Sequence, residues 1–309
     1  MGRSTDGPHP KRFATELRVE GSLRPGYIDA LRIGTMRGPQ PCLKPRRERR
    51  LPAEFCVVTD LGLGYAGGML WKKTWPLEAV LALLGGIVAA FFVGSLAADL
   101  LRQAGVAGFR SEDSIGNVLL ATLSFHGAAL VLGTGFLALH ETTWREVLGD
   151  AGWKRSLALA GATLVVVTPV MFGLKFVSEL VLLRLHRPLE DQRAVELILG
   201  AKLWMRCYLV FFAVILAPVA EEFVFRGLLY STAKRFGWPR LGAVGVSFLF
   251  ALIHLNAPTF LPLFALALAL TWLYENTGGL LAPILAHGLF NLANLVLLLV
   301  AEKYKLLGP

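Results

Sequence analysis

From Leu77 onward the chain alternates between long apolar runs and short joints rich in charge, proline or glycine. The runs at 77–99, 116–139, 156–183, 204–230, 241–255, 259–274 and 279–300 are each close to the roughly 20 residues that a bilayer span needs. Unpaired backbone groups are costly in lipid, so runs of this kind form helices, which satisfy their own hydrogen bonds. The pattern predicts an all-α, polytopic helical membrane protein with about seven to eight transmembrane helices and a polar site inside the bundle. The joint at 184–203 carries Arg184, Arg187, Pro188, Glu190, Asp191, Arg193 and Glu196, and reads as a loop or as an amphipathic helix lying on the membrane surface.

Residues 1–68 are rich in Arg, Pro and Gly and sustain neither a helical nor a strand period. They read as a basic, disordered tail or as a mis-called N-terminal extension. Met69, followed by Leu-Trp-Lys-Lys-Thr-Trp-Pro and an apolar run, has the form of a membrane-protein start. The remaining organisation is a set of membrane helices with a linking amphipathic segment over 69–203, the helices that carry the polar site over 204–300, and a short polar tail at 301–309.

Composition supports the bilayer as solvent: 55% of the 309 residues are apolar and mean hydropathy is +0.57, more than a soluble domain buries without large exposed patches. The net charge of +9 would suit a nucleic-acid partner, but its distribution argues against one. Residues 1–76 hold 14 Lys/Arg against 7 Asp/Glu, whereas residues 77–309 hold 17 against 15. The excess is a flank of the apolar region, where basic residues report orientation and contact with anionic lipid. The basic joints at 184–206 and 231–240 flank the same span, so the positive-inside rule does not choose an orientation. Cys42, Cys56 and Cys207 have no metal-ligand spacing and imply no disulfide framework. The first 30 residues lack the continuous apolar core of a signal peptide.

The chemistry lies in the few polar residues within the apolar runs. Ala217-Pro-Val-Ala-Glu-Glu-Phe-Val-Phe-Arg-Gly-Leu-Leu-Tyr230 puts two adjacent carboxylates and a guanidinium inside a span, each costing at least a few kcal/mol at mid-bilayer unless paired or hydrated. At about 100° per residue, Glu222 and Arg226 lie roughly 40° apart on the helix, whereas Glu221 is roughly 140° from Arg226. The geometry therefore assigns Glu222 to Arg226 and leaves Glu221 for water, a desolvated glutamate being a fit general base. Pro218 cannot donate to the carbonyl four residues earlier, and a kink there would admit water. The plainer alternative is an ion cluster that only ties helices together.

Two further segments bear on that choice. Phe250 precedes His254 by one turn near the end of a short run, and His287 and Asn291 share a helix face at i and i+4. His126, alone in the second run, reads as a hydrogen-bonded packing residue. At about 1.5 Å per residue, Glu221, His254, His287 and Asn291 fall within a slab of roughly 8 Å if the spans alternate. A glutamate and a histidine at one depth would hold and deprotonate a water, while a second histidine and an asparagine amide would donate to an oxyanion, which describes peptide-bond hydrolysis. Glu221, His254 and His287 are also ordinary ligands for a divalent metal such as zinc. No span carries the His-Glu-x-x-His motif, so a metal is permitted rather than required.

Glu221-Glu222-x-x-x-Arg226, Phe250-x-x-x-His254 and His287-x-x-x-Asn291, in this order on successive apolar runs, resemble the CPBP family of CAAX-protease and bacteriocin-processing (Abi-like) intramembrane endopeptidases. Ala217-Pro218, Phe225-Arg226-Gly227 and Tyr274-Glu275 extend the resemblance, which covers about 205–295. It implies a helical membrane fold with a glutamate-dependent site, in which Glu221 and His254 activate water, His287 and Asn291 stabilise the oxyanion, and Glu222, Arg226 and Phe250 support them. The family includes endopeptidases that trim prenylated CAAX proteins and bacterial members that serve in bacteriocin maturation and self-immunity, so the resemblance implies a membrane-associated peptide or protein substrate, lipidated or not; the expected location is a prokaryotic cell membrane. Two other function classes remain at this point: a non-catalytic immunity or scaffold factor of the same fold, and an ion-coupled transporter, since buried Glu/His/Arg sets also mark ion pathways.

Overall fold

A computed structural model describes residues 73, 75–111, 114–188 and 193–304. The expectations for residues 1–68 and for a start at Met69 fall outside the described residues. Among the described residues there is no strand, and the helices are α1 (Leu77–Gln103), α2 (Ile115–Leu139), α3 (Trp144–Leu148), α4 (Trp153–Arg184), α5 (Arg193–Gly200), α6 (Leu203–Arg235), α7 (Pro239–Leu252), α8 (Ala257–Thr277) and α9 (Leu281–Lys303). The fold is polytopic and helical, and the protein is a multi-pass membrane protein. Among the described residues, α1, α2, the stretch Trp144–Arg184, α6, α8 and α9 are long and apolar enough to cross a membrane. The run expected at 241–255 forms the 14-residue α7, about 21 Å long and so short of a hydrocarbon core of roughly 30 Å. Among the described residues of the joint at 184–203, Arg193–Gly200 form the eight-residue α5, and α9 continues three residues into the expected polar tail.

Large apolar side chains such as Phe92, Val93, Val165, Val166 and Phe176 stand outward, each more than 60% exposed. In water such a surface would drive association; in lipid it is the solvent-facing side. The interior is organised around α8, the most buried of the spans, which packs against α4, α7 and α9. Its start is fixed locally: the Asn256 side chain accepts from the Thr259 N–H at 3.2 Å, and prolines occupy the first turn and the next, at Pro258 and Pro262. Side-chain capping of this kind satisfies one of the orphan amides of a helix N-terminus. Its end is Gly278, left-handed at φ +70°, whose N–H returns to the Tyr274 carbonyl, a closure that favours glycine.

Among the described residues two helices contain π-segments, and both border the polar site. Within α2 the segment Leu123–Gly127 is a π-helix, and within α6 the segments Phe212–Leu216 and Phe223–Tyr230 are π-helices separated by the α-helical turn Ala217–Glu222. A π-turn inserts extra backbone and rotates the following side chains relative to a straight helix, which is why such segments concentrate at functional sites. Pro218 lies where α6 returns from π to α geometry, consistent with the irregularity expected there.

Candidate active site

Glu222 and Arg226 form the buried anchor. Both side chains are 0% exposed, and Arg226 Nη1 donates to Glu222 Oε1 at 2.9 Å. Arg226 Nη2 donates to the Ala267 carbonyl on α8 at 2.8 Å, and its guanidinium carbon lies 5.0 Å from the Phe250 ring centroid, within cation–π range. The guanidinium thus binds α6 to α8 and α7 at once. The pairing expected from the i, i+4 spacing is present.

Phe250, fully buried, is the hub that gathers the other two motifs. Its ring centroid is 4.9 Å from that of His254 and 5.7 Å from that of His287, and Phe225 packs edge-on at 5.1 Å. His254 Nδ1 faces the Phe250 carbonyl at 2.7 Å. A carbonyl only accepts, so Nδ1 carries the proton and the neutral ring presents Nε2 as an acceptor. Just beyond His254, Leu255 adopts φ 49°, a left-handed conformation that reverses the chain into α8.

His287, 5% exposed, faces both acids of α6: Nδ1 is 3.0 Å from Glu222 Oε1 and Nε2 is 3.8 Å from Glu221 Oε2. The first is a hydrogen bond and the second is too long for one. Glu222 Oε1 therefore takes both Arg226 and His287, so one carboxylate oxygen ties α9 to α6. The close approach of those helices depends on Gly288, where a Cβ would stand 2.6 Å from the Val214 carbonyl oxygen.

Glu221 is not the unpartnered carboxylate that the helix angle alone implied. His126 Nε2 lies 3.0 Å from Glu221 Oε1, so the histidine read from the sequence as mere packing is in direct contact with the central acid. Glu221 Oε2 is buried and makes no hydrogen bond; it faces His287 across the 3.8 Å gap. His254 has no hydrogen bond to Glu221 and reaches the cluster through the Phe250 ring, which it shares with His287.

Asn291 is placed otherwise than its spacing from His287 suggests. Its Nδ2 donates to the Ala213 carbonyl at 2.7 Å, and the reason lies in Pro218. In the π-segment Phe212–Leu216 the Ala217 N–H donates five residues back, to the Phe212 carbonyl. The next donor in that register would be residue 218, which as proline has no N–H. Ala213 is thereby left without its helical partner, and Asn291 supplies the hydrogen bond from α9. One Nδ2 proton is so occupied and the other is not.

Among the described residues no three His, Cys, Asp or Glu side chains are grouped as a metal ion requires. His287, one of the three candidate ligands, has Nδ1 committed to Glu222. The described residues do not form a ready ligand set for a metal.

Side chains of all three motifs thus meet around Phe250 and Glu222, and a family match falls on the same segment. Residues 203–293 match the family described as type II CAAX prenyl endopeptidase Rce1-like. The resemblance to the CPBP, CAAX-protease type of endopeptidase is borne out over that stretch. A curated relative is the UPF0177 protein YaiF of Lactococcus lactis subsp. lactis (strain IL1403), 29% identical over 140 residues, which span 45% of this chain and 62% of that protein. No solved structure matches the chain. A bacterial relative accords with the expected prokaryotic membrane.

Proposed function

We propose that this protein is an intramembrane endopeptidase that hydrolyses a peptide bond of a membrane-associated, lipidated substrate through a water activated by Glu221 and His254. The observation that carries the reading is Glu221 Oε2, a buried carboxylate oxygen without a hydrogen bond, facing His287, whose ring packs on Phe250 as that of His254 does. A buried acceptor left unpaired costs about 1–3 kcal/mol, which a bound water would relieve. With Nδ1 committed to the Phe250 carbonyl, His254 Nε2 is free to accept the second hydrogen of such a water.

Attack on a carbonyl places negative charge on its oxygen. Protonated His287 keeps Nδ1–H on Glu222 and holds Nε2–H for that oxygen. The unused Nδ2 proton of Asn291 is the second candidate donor. Glu222 and Arg226 keep His287 oriented, and Phe250 sets the spacing of the two rings. The proton taken by Glu221 then passes to the leaving amine. The choice of a prenylated substrate is supported by the name of the family that matches residues 203–293.

The test is a product peptide identified by mass spectrometry. Purified protein in lipid nanodiscs is mixed with a farnesylated peptide ending in a CAAX sequence and with its unlipidated counterpart, alongside Glu221→Gln and His254→Ala. Cleavage by the parent protein and not by the variants is expected. Full cleavage by both variants would overturn the mechanism. Ion-coupled solute flux into sealed vesicles without any cleavage would favour the transporter class.

A further inference from the structure

His126 is the charged-capable side chain nearest the site that the three motifs do not include. It sits in the π-segment Leu123–Gly127 of α2, 95 positions before Glu221 in the chain. Its ring is wedged edge-on between Phe125 and Phe212, with centroids 5.0 and 4.8 Å away, so its orientation is set by packing. His126 is 18% exposed and Glu221 12%, a pair screened little by solvent. The π-turn is how the ring comes to face α6, since extra backbone there changes the direction of the side chains it carries.

The two carboxylate oxygens of Glu221 are consequently unlike. Oε1 is 3.0 Å from His126 Nε2, whereas Oε2 has no hydrogen bond. A carboxylate without an anchor turns about its terminal torsion, which is broad. Here that turn would let it close on His287 Nε2, now 3.8 Å from Oε2. A closed Glu221–His287 pair would occupy the gap where water is to be held. Nδ1 of His126 is buried and has no hydrogen-bond partner among the described residues. A neutral ring protonated on Nε2 satisfies this arrangement best, because it leaves at Nδ1 a lone pair rather than a buried N–H.

Resting on the endopeptidase reading above, we infer that His126 is a positioning residue for Glu221: it donates Nε2–H to Oε1, fixes the carboxylate plane, and thereby reserves Oε2 for the attacking water. His126 touches neither water nor substrate in this scheme. Its contribution is orientation, for which a displacement of about 1 Å costs on the order of a hundredfold in rate.

The experiment compares His126→Ala, His126→Gln and Glu221→Gln with the parent protein in nanodiscs, using a quenched-fluorescence peptide that bears farnesylcysteine. Rates are normalised to folded protein. His126→Ala should lower kcat by about 10- to 100-fold with KM within about twofold. His126→Gln, which retains an N–H donor near the Nε2 position, should recover kcat to within about fivefold. A His126→Ala variant with parental kcat, while Glu221→Gln is inactive, would overturn this inference and leave the endopeptidase reading standing. Parental activity in Glu221→Gln would overturn both. A His126→Gln variant as impaired as His126→Ala would also overturn the positioning role, because a fixed amide donor would then not suffice.

A second measurement needs no substrate. In ¹⁵N-histidine-labelled protein, with His126 assigned by its loss in His126→Gln, the ring should be protonated at Nε2, and Glu221→Gln should shift its resonances. A ring protonated at Nδ1 alone, or one indifferent to Glu221→Gln, would overturn the inference.

Discussion

Replacing Arg226 by Met tests how far one ion pair holds the site together. The side chain is fully buried and joins three helices through Glu222, the Ala267 carbonyl and the Phe250 ring. Met preserves much of the volume, so the change removes charge and hydrogen bonds rather than opening a large cavity. Glu222 would then remain buried with only His287 Nδ1 beside it. Removing one partner of a buried pair costs about 3–5 kcal/mol, mostly because the other charge is left uncompensated. The Ala267 carbonyl loses less, since Thr271 Oγ1 also donates to it at 2.9 Å. The assay is reversible unfolding in mixed micelles, for Arg226→Met, Glu222→Gln and the double variant. Arg226→Met should lose about 3–5 kcal/mol, and the double variant should be less destabilised than the sum of the singles by at least about 1 kcal/mol. A single variant within about 0.5 kcal/mol of the parent, or strictly additive singles, would refute the view that Glu222 and Arg226 act as one coupled pair that holds the site together.

Two other predictions concern how α9 meets α6. Gly288→Ala would set a Cβ 2.6 Å from the Val214 carbonyl, forcing the helices apart at a cost of about 1–3 kcal/mol; the same unfolding assay checks it, with a fall in activity expected because His287 is the adjacent residue. Asn291→Leu leaves the Ala213 carbonyl without its donor and should cost about 1–3 kcal/mol. If Asn291 serves only that carbonyl, kcat per folded molecule should stay at the parental value; if its second proton also meets the oxyanion, kcat should drop by about 10- to 1,000-fold.

Much of this arrangement was legible in the chain, and the parts that were not share a cause. Glu222 with Arg226, and Phe250 with His254, are separated by four residues, so helix periodicity alone brings them together. Helix rise set Glu221 and His287 at similar heights on their helices, and their side chains lie 3.8 Å apart. Polarity, which in a soluble protein marks the outer face of a helix, marks almost nothing here, because apolar residues face lipid and core alike. His126 could not be placed on that basis: α2 is apolar on all sides, and the direction of the histidine is set by a π-turn that no 3.6-residue period encodes. Its long-range partner, Glu221, lies on α6. Asn291 illustrates the converse. The absence of an N–H at Pro218 was evident, but the carbonyl it would orphan depended on π rather than α register. The shortness of α7 was likewise hidden, because an apolar run does not reveal where its helix stops, and here Leu255 turns the chain soon after the helix ends.

In the proposed mechanism Glu221, held by His126 and facing His287, activates with His254 the water that cuts the peptide. The most direct test of that role is the single-turnover rate of farnesylated-peptide cleavage by Glu221→Gln, a variant that keeps an oxygen acceptor for His126 and should therefore remain folded, measured against the parent protein in the same nanodiscs. The rate should fall at least about a hundredfold with substrate binding retained, as loss of a general base implies; a rate equal to that of the parent would contradict a catalytic Glu221.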